Sequence, residues 1–339
     1  MKAIHLLFKL FVPMIFLSCN FIPKESEDDT TPIEPSAITS VSIDSFSGKL
    51  AMGDNALFTV SVLPEDALTT VTWSSSDITI ATIDTNGTIT SLKPGIVEIS
   101  AASTQDDLIR DTQTVKVGYE ETFTNSGSWY ESASDNLIDD SIDFYISDGV
   151  YNIGAINNTS VVSTKIVYPF LVDGWETVYF EMPYKFSVDC FINPAMQTAG
   201  TVCANYIKFN SAGTGYNEWD ADVLWITSSG YIKISHAYQD SWPYPYITQW
   251  NDITDWIQSD AINTDGSKNR LTILQSDTSL TISVNGTEIG TFPHYFPFDW
   301  LYTAAEVPFT LGVCEMSETP PATFEVVASY DNIEIYPID

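Results

Sequence analysis

The stretch VTWSSSDITIATIDTNGTITSLKPGIVEI, residues 71–99, decides the fold of the first part of this chain. Apolar and polar residues alternate within its short β-branched segments, and the turn-forming pairs Asn86-Gly87 and Pro94-Gly95 separate them. Alternation of period two predicts strands with one buried face. Segments of this kind recur at 38–44, 56–63, 70–75, 88–92, 96–102 and 113–117. Regular short strands with turns between them predict a β-sandwich over residues 38–118.

Three features of this stretch have structural roles. Trp73 alternates with Val71, so we expect its ring to pack between the sheets rather than to contact a ligand. Asn86-Gly87 supplies the positive φ that a type I′ hairpin needs, and Pro94-Gly95 turns the chain before the next strand.

The order of these motifs carries a family resemblance. Residues 71–77, 80–84, 86–90 and 93–99 follow one another as in the bacterial Ig-like group 2 domain, and the resemblance covers residues 38–117. Domains of this family serve as spacers or adhesin modules and share no catalytic residues. The resemblance therefore implies that this domain holds the rest of the chain away from a membrane.

The aromatic residues divide the chain near residue 118. Of 44 aromatic residues, 7 lie in residues 1–118 and 37 lie in residues 119–339. Such a shift in composition predicts two modules, and we expect few contacts to cross the boundary at Gly118-Tyr119.

The second module, residues 119–339, is also β by pattern. Residues 176–186, 231–234 and 324–328 alternate, and 251–258 is the one short helix that the sequence predicts. Residues 269–290 predict three antiparallel strands, the last two joined at Asn285-Gly286. Together with residues 330–336, this run resembles the concanavalin A-like jelly rolls of the laminin-G and glucanase type. The expected fold is therefore all-β: an Ig-like β-sandwich followed by a larger jelly-roll β-sandwich.

The first residues predict an export signal. Lys2 and Lys9 precede and flank a short apolar stretch that ends at Leu17-Ser18-Cys19, which is too short to span a bilayer. It resembles a bacterial lipoprotein signal, which implies removal of residues 1–18 and acylation of Cys19; the alternative is an ordinary signal peptide with a chance cysteine. Residues 19–37 form an acidic, Pro/Thr-rich tether. The acidic run is either a solvated linker or, as it resembles, the export tag of Bacteroidota lipoproteins, which implies the outer face of the outer membrane.

Charge excludes two classes of partner. Lys and Arg number 13 against 45 Asp and Glu, a formal net charge of −32. Such a chain is repelled by a phosphate backbone or an anionic lipid surface, so nucleic acid is not a predicted partner.

The cysteines and histidines give little sign of chemistry. Cys190 and Cys203 are the local pair and predict a possible disulfide in an exported protein, whereas Cys314 reads as a small buried residue. No Cys-x-x-Cys pair occurs, and three histidines spread over the chain do not form a clustered zinc site.

No catalytic pair is predicted. The related hydrolases carry Glu-x-Asp-x-x-Glu on one strand, and this signature is not found. The nearest candidates are Asp220 with Asp222, on one face if their segment is a strand, and Glu176 with Glu181, whose odd separation puts them on opposite faces. For Asp220 and Asp222 the alternatives are a solvated strand edge or a calcium-type oxygen cluster. The run 139–143 is a polar loop or a calcium site. We therefore expect no enzyme and no cofactor, with Ca²⁺ left open.

Aromatic residues with prolines between them predict a binding surface. Two ring-rich segments, 242–256 and 292–302, combine flat apolar rings with stiffening prolines, as a glycan site requires. The alternative is that these rings fill the core or cap the ends of the sandwich. The candidate glycan-binding residues are Trp242, Tyr244, Tyr246, Trp250, Tyr295 and Trp300.

These features favour an outer-membrane lipoprotein that faces the cell exterior and binds extracellular polysaccharide or host glycan without cleaving it. The second hypothesis is an adhesin that binds a protein through the same surface. The third is a glycoside hydrolase or lyase.

Overall fold

The computed structural model describes residues 36–65, 67, 70–124, 142–156, 163–167, 179–180, 183–192, 203–215, 218–239, 248–276, 278–293, 305–306, 309–315 and 325–339. These residues form 25 strands and contain no helix. Accordingly, no helix in the described part of the chain is long and apolar enough to cross a membrane. The predicted all-β class is confirmed.

The strands up to residue 121 correspond closely to the predicted segments. They are β1 (Ser40–Ile43), β2 (Lys49–Ala51), β3 (Asn55–Leu57), β4 (Val60–Leu63), β5 (Val71–Ser75), β6 (Ala81–Ile83), β7 (Thr88–Ser91), β8 (Gly95–Ser103) and β9 (Arg110–Glu121). The predicted segment 56–63 is two strands, since β3 pairs with β7 whereas β4 pairs with β1.

The core of this first sandwich is made by the alternating apolar residues. Ile89, Ile99 and Val115 are fully buried in one cluster. Trp73 is half-buried against that cluster, and its ring centroid lies 6.1 Å from that of Phe58. The predicted packing role of Trp73 is confirmed.

The turn at Asn86-Gly87 differs from the prediction. Gly87 has φ +86°, but Asn86 does not have a positive φ, so the type I′ assignment is wrong. The Asp84 carboxylate accepts hydrogen bonds from the backbone N–H groups of Asn86 and Thr88 at 2.8 Å each, and these local bonds hold the turn instead.

The remaining strands build the larger sandwich. They are β10 (Ile142–Ser147), β11 (Val150–Ile156), β12 (Ser163–Val167), β13 (Tyr179–Phe180), β14 (Tyr184–Ile192), β15 (Cys203–Gly215), β16 (Glu218–Thr227), β17 (Tyr231–Gln239), β18 (Thr248–Asp252), β19 (Ile257–Gln258), β20 (Asn269–Gln275), β21 (Ser279–Val284), β22 (Thr287–Pro293), β23 (Ala305–Glu306), β24 (Phe309–Glu315) and β25 (Glu325–Pro337).

Two large sheets face each other in this sandwich. One has the order β22-β21-β20-β14-β25 and continues through β9 into β8 and β5 of the first sandwich, and the other has the order β12-β24-β15-β16-β17-β18. Phe186 and Ile273 of the first sheet and Leu224 and Ile234 of the second are buried in one core cluster. The predicted larger β-sandwich is therefore present.

The hairpin of β21 and β22 forms where the sequence predicted it. Val284 pairs with Thr287, so Asn285 and Gly286 are the whole loop. Their φ values are +51° and +82°, which is the pair of positive angles that a two-residue hairpin of type I′ needs. The prediction is confirmed.

Two other expectations are wrong. The helix predicted at 251–258 is replaced by the end of β18 and by β19, both of which pair with β17. The boundary at Gly118-Tyr119 is not a place of few contacts, because β9 runs through it and pairs with β25 at Tyr119–Glu121.

Candidate functional site

Most of the predicted glycan-binding residues lie outside the described residues. This applies to Trp242, Tyr244, Tyr246, Tyr295 and Trp300, and also to Cys19. Trp250 is in β18, where its backbone is opposite Ala237 of β17. The roles of these residues stay predictions.

The described residues at the end of the first ring-rich segment form a small surface around one exposed ring. Trp256, in the connection between β18 and β19, is 37% exposed. Lys233 of β17 places its Nζ 5.4 Å from the centroid of the Trp256 ring, within cation–π range. Lys233 Nζ also lies 2.7 Å from Asp252 Oδ2, and Ser235 Oγ donates to Asp252 Oδ1 at 3.0 Å. We call Trp256, Lys233, Ser235 and Asp252 the Trp256 surface.

The alternation of β17 places these groups on one face. Ile232 and Ile234 are buried in the core between the sheets, so Lys233 and Ser235 point to the opposite, outer face. Trp225 of β16 is directly opposite Lys233 and is only 6% exposed, so the outer face is covered at β16. The surface opens at β18, the last strand in this sheet order.

The connection that carries Trp256 is fixed by its backbone. The N–H groups of Ile253 and Thr254 both donate to the carbonyl of Ile234, at 3.0 and 3.1 Å. Thr254 Oγ1 in turn accepts a hydrogen bond from the N–H of Ile234 at 3.0 Å. These bonds compete with the helical pattern that 251–258 suggested, and they fix the backbone just before Trp256.

Charge is balanced at this surface. The hydrogen bond from Lys233 to Asp252, assisted by that from Ser235, holds the pKa of the Asp252 carboxyl below its ordinary value. The Asp252 side chain is 54% exposed, so its oxygens can also accept hydrogen bonds from a ligand. The surface thus offers a flat ring, acceptor oxygens and little net charge.

Asp222 does not lie at a solvated strand edge, which was one of the alternatives that the sequence left open. Its segment is a strand, β16, but its side chain is fully buried and His236 Nδ1 lies 3.2 Å from its Oδ1. Burial is the main cause that raises the pKa of Tyr184, in the facing sheet, and the nearby charge of Asp222 is the second cause. Asp222 is therefore part of a polar group in the core and not of a solvated edge. Asp220 is also in β16, two residues earlier.

No disulfide joins Cys190 to Cys203. Cys190 is a buried free thiol on β14, in one sheet, whereas Cys203 is buried on β15, in the facing sheet. Burial and the neighbouring Asp189 charge raise the pKa of the Cys190 thiol, which makes it an inert core residue. The predicted pairing is wrong in this structure.

A metal centre is not found where the structure describes the chain. No group of three His, Cys, Asp or Glu residues among the described residues could hold an ion. The acidic run 139–143 lies mostly outside them, so a calcium site there stays a prediction.

Sequence reasoning found part of the Trp256 surface. The density of rings in 242–256 indicated Trp256, but the sequence gave no sign that Lys233, 23 residues earlier, is its partner. That contact depends on the pairing of β17 with β18 and β19, which is set by the whole sheet.

The fold defines an all-β protein of two joined sandwiches. Residues 37–112 match the family described as Bacterial Ig-like domain (group 2). The first sandwich is therefore a bacterial Ig-like domain of group 2, as its ordered motifs predicted.

Two curated proteins match short parts of the chain. A lacto-N-biosidase of Bifidobacterium bifidum is 30% identical over 95 residues, which are 27% of this chain and 8% of that protein. An uncharacterized protein of Clostridium acetobutylicum is 36% identical over 80 residues, which are 23% of this chain and 8% of that protein. The chain therefore spans under a tenth of the length of either relative.

Solved structures share a general likeness with the chain. They include a β-glucanase of Bacillus licheniformis (10% identity, 66% of this chain and 98% of that one, TM-score 0.40). A Bacillus subtilis protein of unknown function with a galectin-like fold has 9% identity, 64% and 94% coverage, and a TM-score of 0.38. A structure described with endo-acting O-glycanases of the human gut microbiota has 11% identity, 65% and 99% coverage, and a TM-score of 0.42.

Proposed function

We propose that this protein is a lipid-anchored cell-surface protein whose larger sandwich binds extracellular polysaccharide without cleaving it. The observation that carries the proposal is the Trp256 ring, which is exposed and is held on one side by its cation–π contact with Lys233. A ring that is already in place loses little conformational freedom when a ligand binds, so more of the contact energy becomes affinity.

The chemistry of the surface suits a sugar. A pyranose ring has an apolar C–H face and a rim of hydroxyls, so it needs a flat aromatic plane beside hydrogen-bonding groups. Trp256 supplies the plane, and the exposed Asp252 carboxylate supplies acceptors. The Lys233 ammonium offsets the Asp252 charge, so the surface suits a neutral sugar better than an ionic partner.

The neighbouring sequence extends the proposed site. Trp242, Tyr244 and Tyr246 precede β18 directly, Trp250 is in β18, and Trp256 follows it. Rings on a segment stiffened by Pro243 and Pro245 would lengthen the binding surface for several sugar units. Tyr295 and Trp300 belong to the second ring-rich segment and are the next candidates.

Binding without cleavage is favoured by the position of Asp222. A retaining glycosidase needs two carboxyl groups about 5 to 5.5 Å apart that both reach the substrate. Asp222, one of the candidate carboxylates in the sequence, is buried beside His236 instead. Asp222 is therefore not placed to act as one of a catalytic pair, which weighs against the hydrolase hypothesis.

Affinity electrophoresis on a panel of polysaccharides tests the site. Trp256→Ala should weaken binding at least about fivefold, or ~1 kcal/mol, on any polysaccharide that retards the parent. Tyr145→Ala is the matched control, because Tyr145 is an aromatic residue of similar exposure on β10, in the other sheet. Equal retardation of both variants and the parent would remove Trp256 from the site.

The same panel separates the alternatives. An adhesin for proteins would show no retardation on any polysaccharide, whereas a hydrolase would release reducing ends from the one that it recognises. The proposal requires retardation without release.

A further inference from the structure

The two sandwiches share a strand. β9 pairs with β8 over Arg110 to Val117, in the Ig-like domain, and then with β25 over Tyr119 to Glu121, in the larger sandwich. β2 of the Ig-like domain runs parallel to β9 up to Gly118, and the N–H of Met52 donates to the carbonyl of Gly118 at 2.8 Å. One hydrogen-bonded sheet therefore crosses the junction without a linker.

Gly118 makes the crossing possible because it has no side chain. A Cβ at this position would lie 2.3 Å from the carbonyl oxygen of Ile335 and 2.4 Å from the ring of Tyr336. Both distances are far below van der Waals contact, and the first obstacle is backbone. The approach of β25 to β9 thus requires glycine for reasons of space.

Side chains of both domains make further contacts across the junction. Lys49 of β2 forms an ion pair with Glu334 of β25 at 3.1 Å, and its Nζ lies 4.5 Å from the centroid of the Tyr336 ring. The Tyr336 hydroxyl donates to the carboxylate of Glu120, and Tyr336 is 3% exposed. Met52 packs against the core clusters of both sandwiches.

Glu334 links this contact to a second network. Arg270 of β20 reaches Glu334 with Nη2 at 2.8 Å and Asp189 with Nη1 at 3.2 Å. Asp189 is 2% exposed and also accepts from Asn332 Nδ2 at 2.9 Å. Glu334 is therefore shared by a cation from each domain, in a chain with only 13 Lys and Arg residues.

We infer that the Ig-like domain and the larger sandwich fold and unfold as one cooperative unit. The Ig-like domain then acts as a rigid support that fixes the orientation of the larger sandwich, and not as a free spacer. Independent domain motion is the usual behaviour where few contacts cross a linker, and a continuous strand with ion pairs and apolar packing across it removes that freedom. This inference stands whether or not the protein binds glycan.

Hydrogen exchange during heating of the full chain tests the inference. Peptides that cover 88–103 report on the Ig-like domain, and peptides that cover 269–284 report on the larger sandwich. In the parent they should lose protection at one midpoint. In Gly118→Ala the two midpoints should fall and separate by at least about 5 °C, because the shared sheet is forced apart.

Lys49→Met provides a milder variant that keeps the apolar stem and loses the charge. It should lower both midpoints together, relative to Lys93→Met, which removes an exposed lysine of the same domain outside the junction. If Gly118→Ala is not soluble, this comparison decides. Two separate midpoints in the parent, or a Lys49→Met effect confined to 88–103, would overturn the inference.

Discussion

Gly87 has a backbone conformation that disfavours a side chain, and its neighbours leave no space for one. Its φ is +86°, and a Cβ there would lie 2.5 Å from the carbonyl oxygen of Phe58. Gly48 has a similar φ of +78° with nothing within 4 Å, so it is a matched control. A left-handed conformation alone costs an L-residue about 1–2 kcal/mol.

We therefore expect Gly87→Ala to lower the free energy of unfolding more than Gly48→Ala does. The difference should be at least about 1 kcal/mol, because only Gly87 adds a clash to the conformational cost. Urea unfolding measures both variants. Equal losses would mean that the turn adjusts to the extra methyl group.

Asp222 and His236 form a buried polar pair whose removal should be costly. Deleting either side chain removes a hydrogen-bonding partner of the other in a low-dielectric core. We expect Asp222→Ala to lose about 3–5 kcal/mol of the free energy of unfolding, whereas Asp255→Ala, at an exposed position, should lose under about 0.5 kcal/mol. Thermal or urea unfolding checks both; a small effect of Asp222→Ala would contradict the burial of this carboxylate.

The Asp252 pKa gives a prediction on pH. Because Lys233 lowers the pKa of Asp252 in the folded protein, the Lys233–Asp252 pair contributes stability above the ordinary Asp value of about 3.9. That contribution is lost only as the pH falls through the lowered pKa. The Trp256 surface should therefore stay intact from pH 7 down to about pH 4.

A carbon-13 NMR titration of the Asp252 carboxyl measures this pKa. In Lys233→Met the titration midpoint should move up, because the principal cause of the lowered value is removed. An unchanged midpoint would mean that Lys233 does not control the charge of Asp252.

At the scale of strands, the sequence pattern predicted the features that depend on residues close together in the chain. The Asn285-Gly286 hairpin was predictable because its two residues carry the required φ angles. The local sequence of 251–258 is compatible with a helix. The helix is absent because the backbone N–H groups of Ile253 and Thr254 donate to the carbonyl of Ile234 in β17 instead. The burial of Asp222 likewise depends on the facing sheet, which no strand pattern reveals.

The facing strands β14 and β15 also give a testable statement about Cys190. A peptide map of the native protein without reductant should show Cys190 unlinked to Cys203, and iodoacetamide should modify Cys190 only after denaturation. Burial and the raised pKa of the Cys190 thiol both oppose its reaction. A linked pair of peptides would restore the disulfide that the sequence suggested.

At the scale of the whole molecule, the proposed anchor rests on one residue. Cys19→Ala should move the protein from the outer-membrane fraction to the soluble fraction, because the acyl chains on Cys19 would supply the membrane affinity. Membrane fractionation measures this, with Cys190→Ala as the cysteine control. Retention of Cys19→Ala in the membrane would contradict the lipoprotein proposal.

The central claim is that the larger sandwich binds a polysaccharide and leaves it intact, and one paired measurement tests it. The full chain is run through gels that contain each polysaccharide of a panel, and the same polysaccharides are assayed for new reducing ends after incubation with the protein. We predict retardation on at least one polysaccharide, relief of that retardation in Trp256→Ala, and no release of reducing ends. Release of reducing ends, or unchanged mobility on every polysaccharide, would contradict the proposed function.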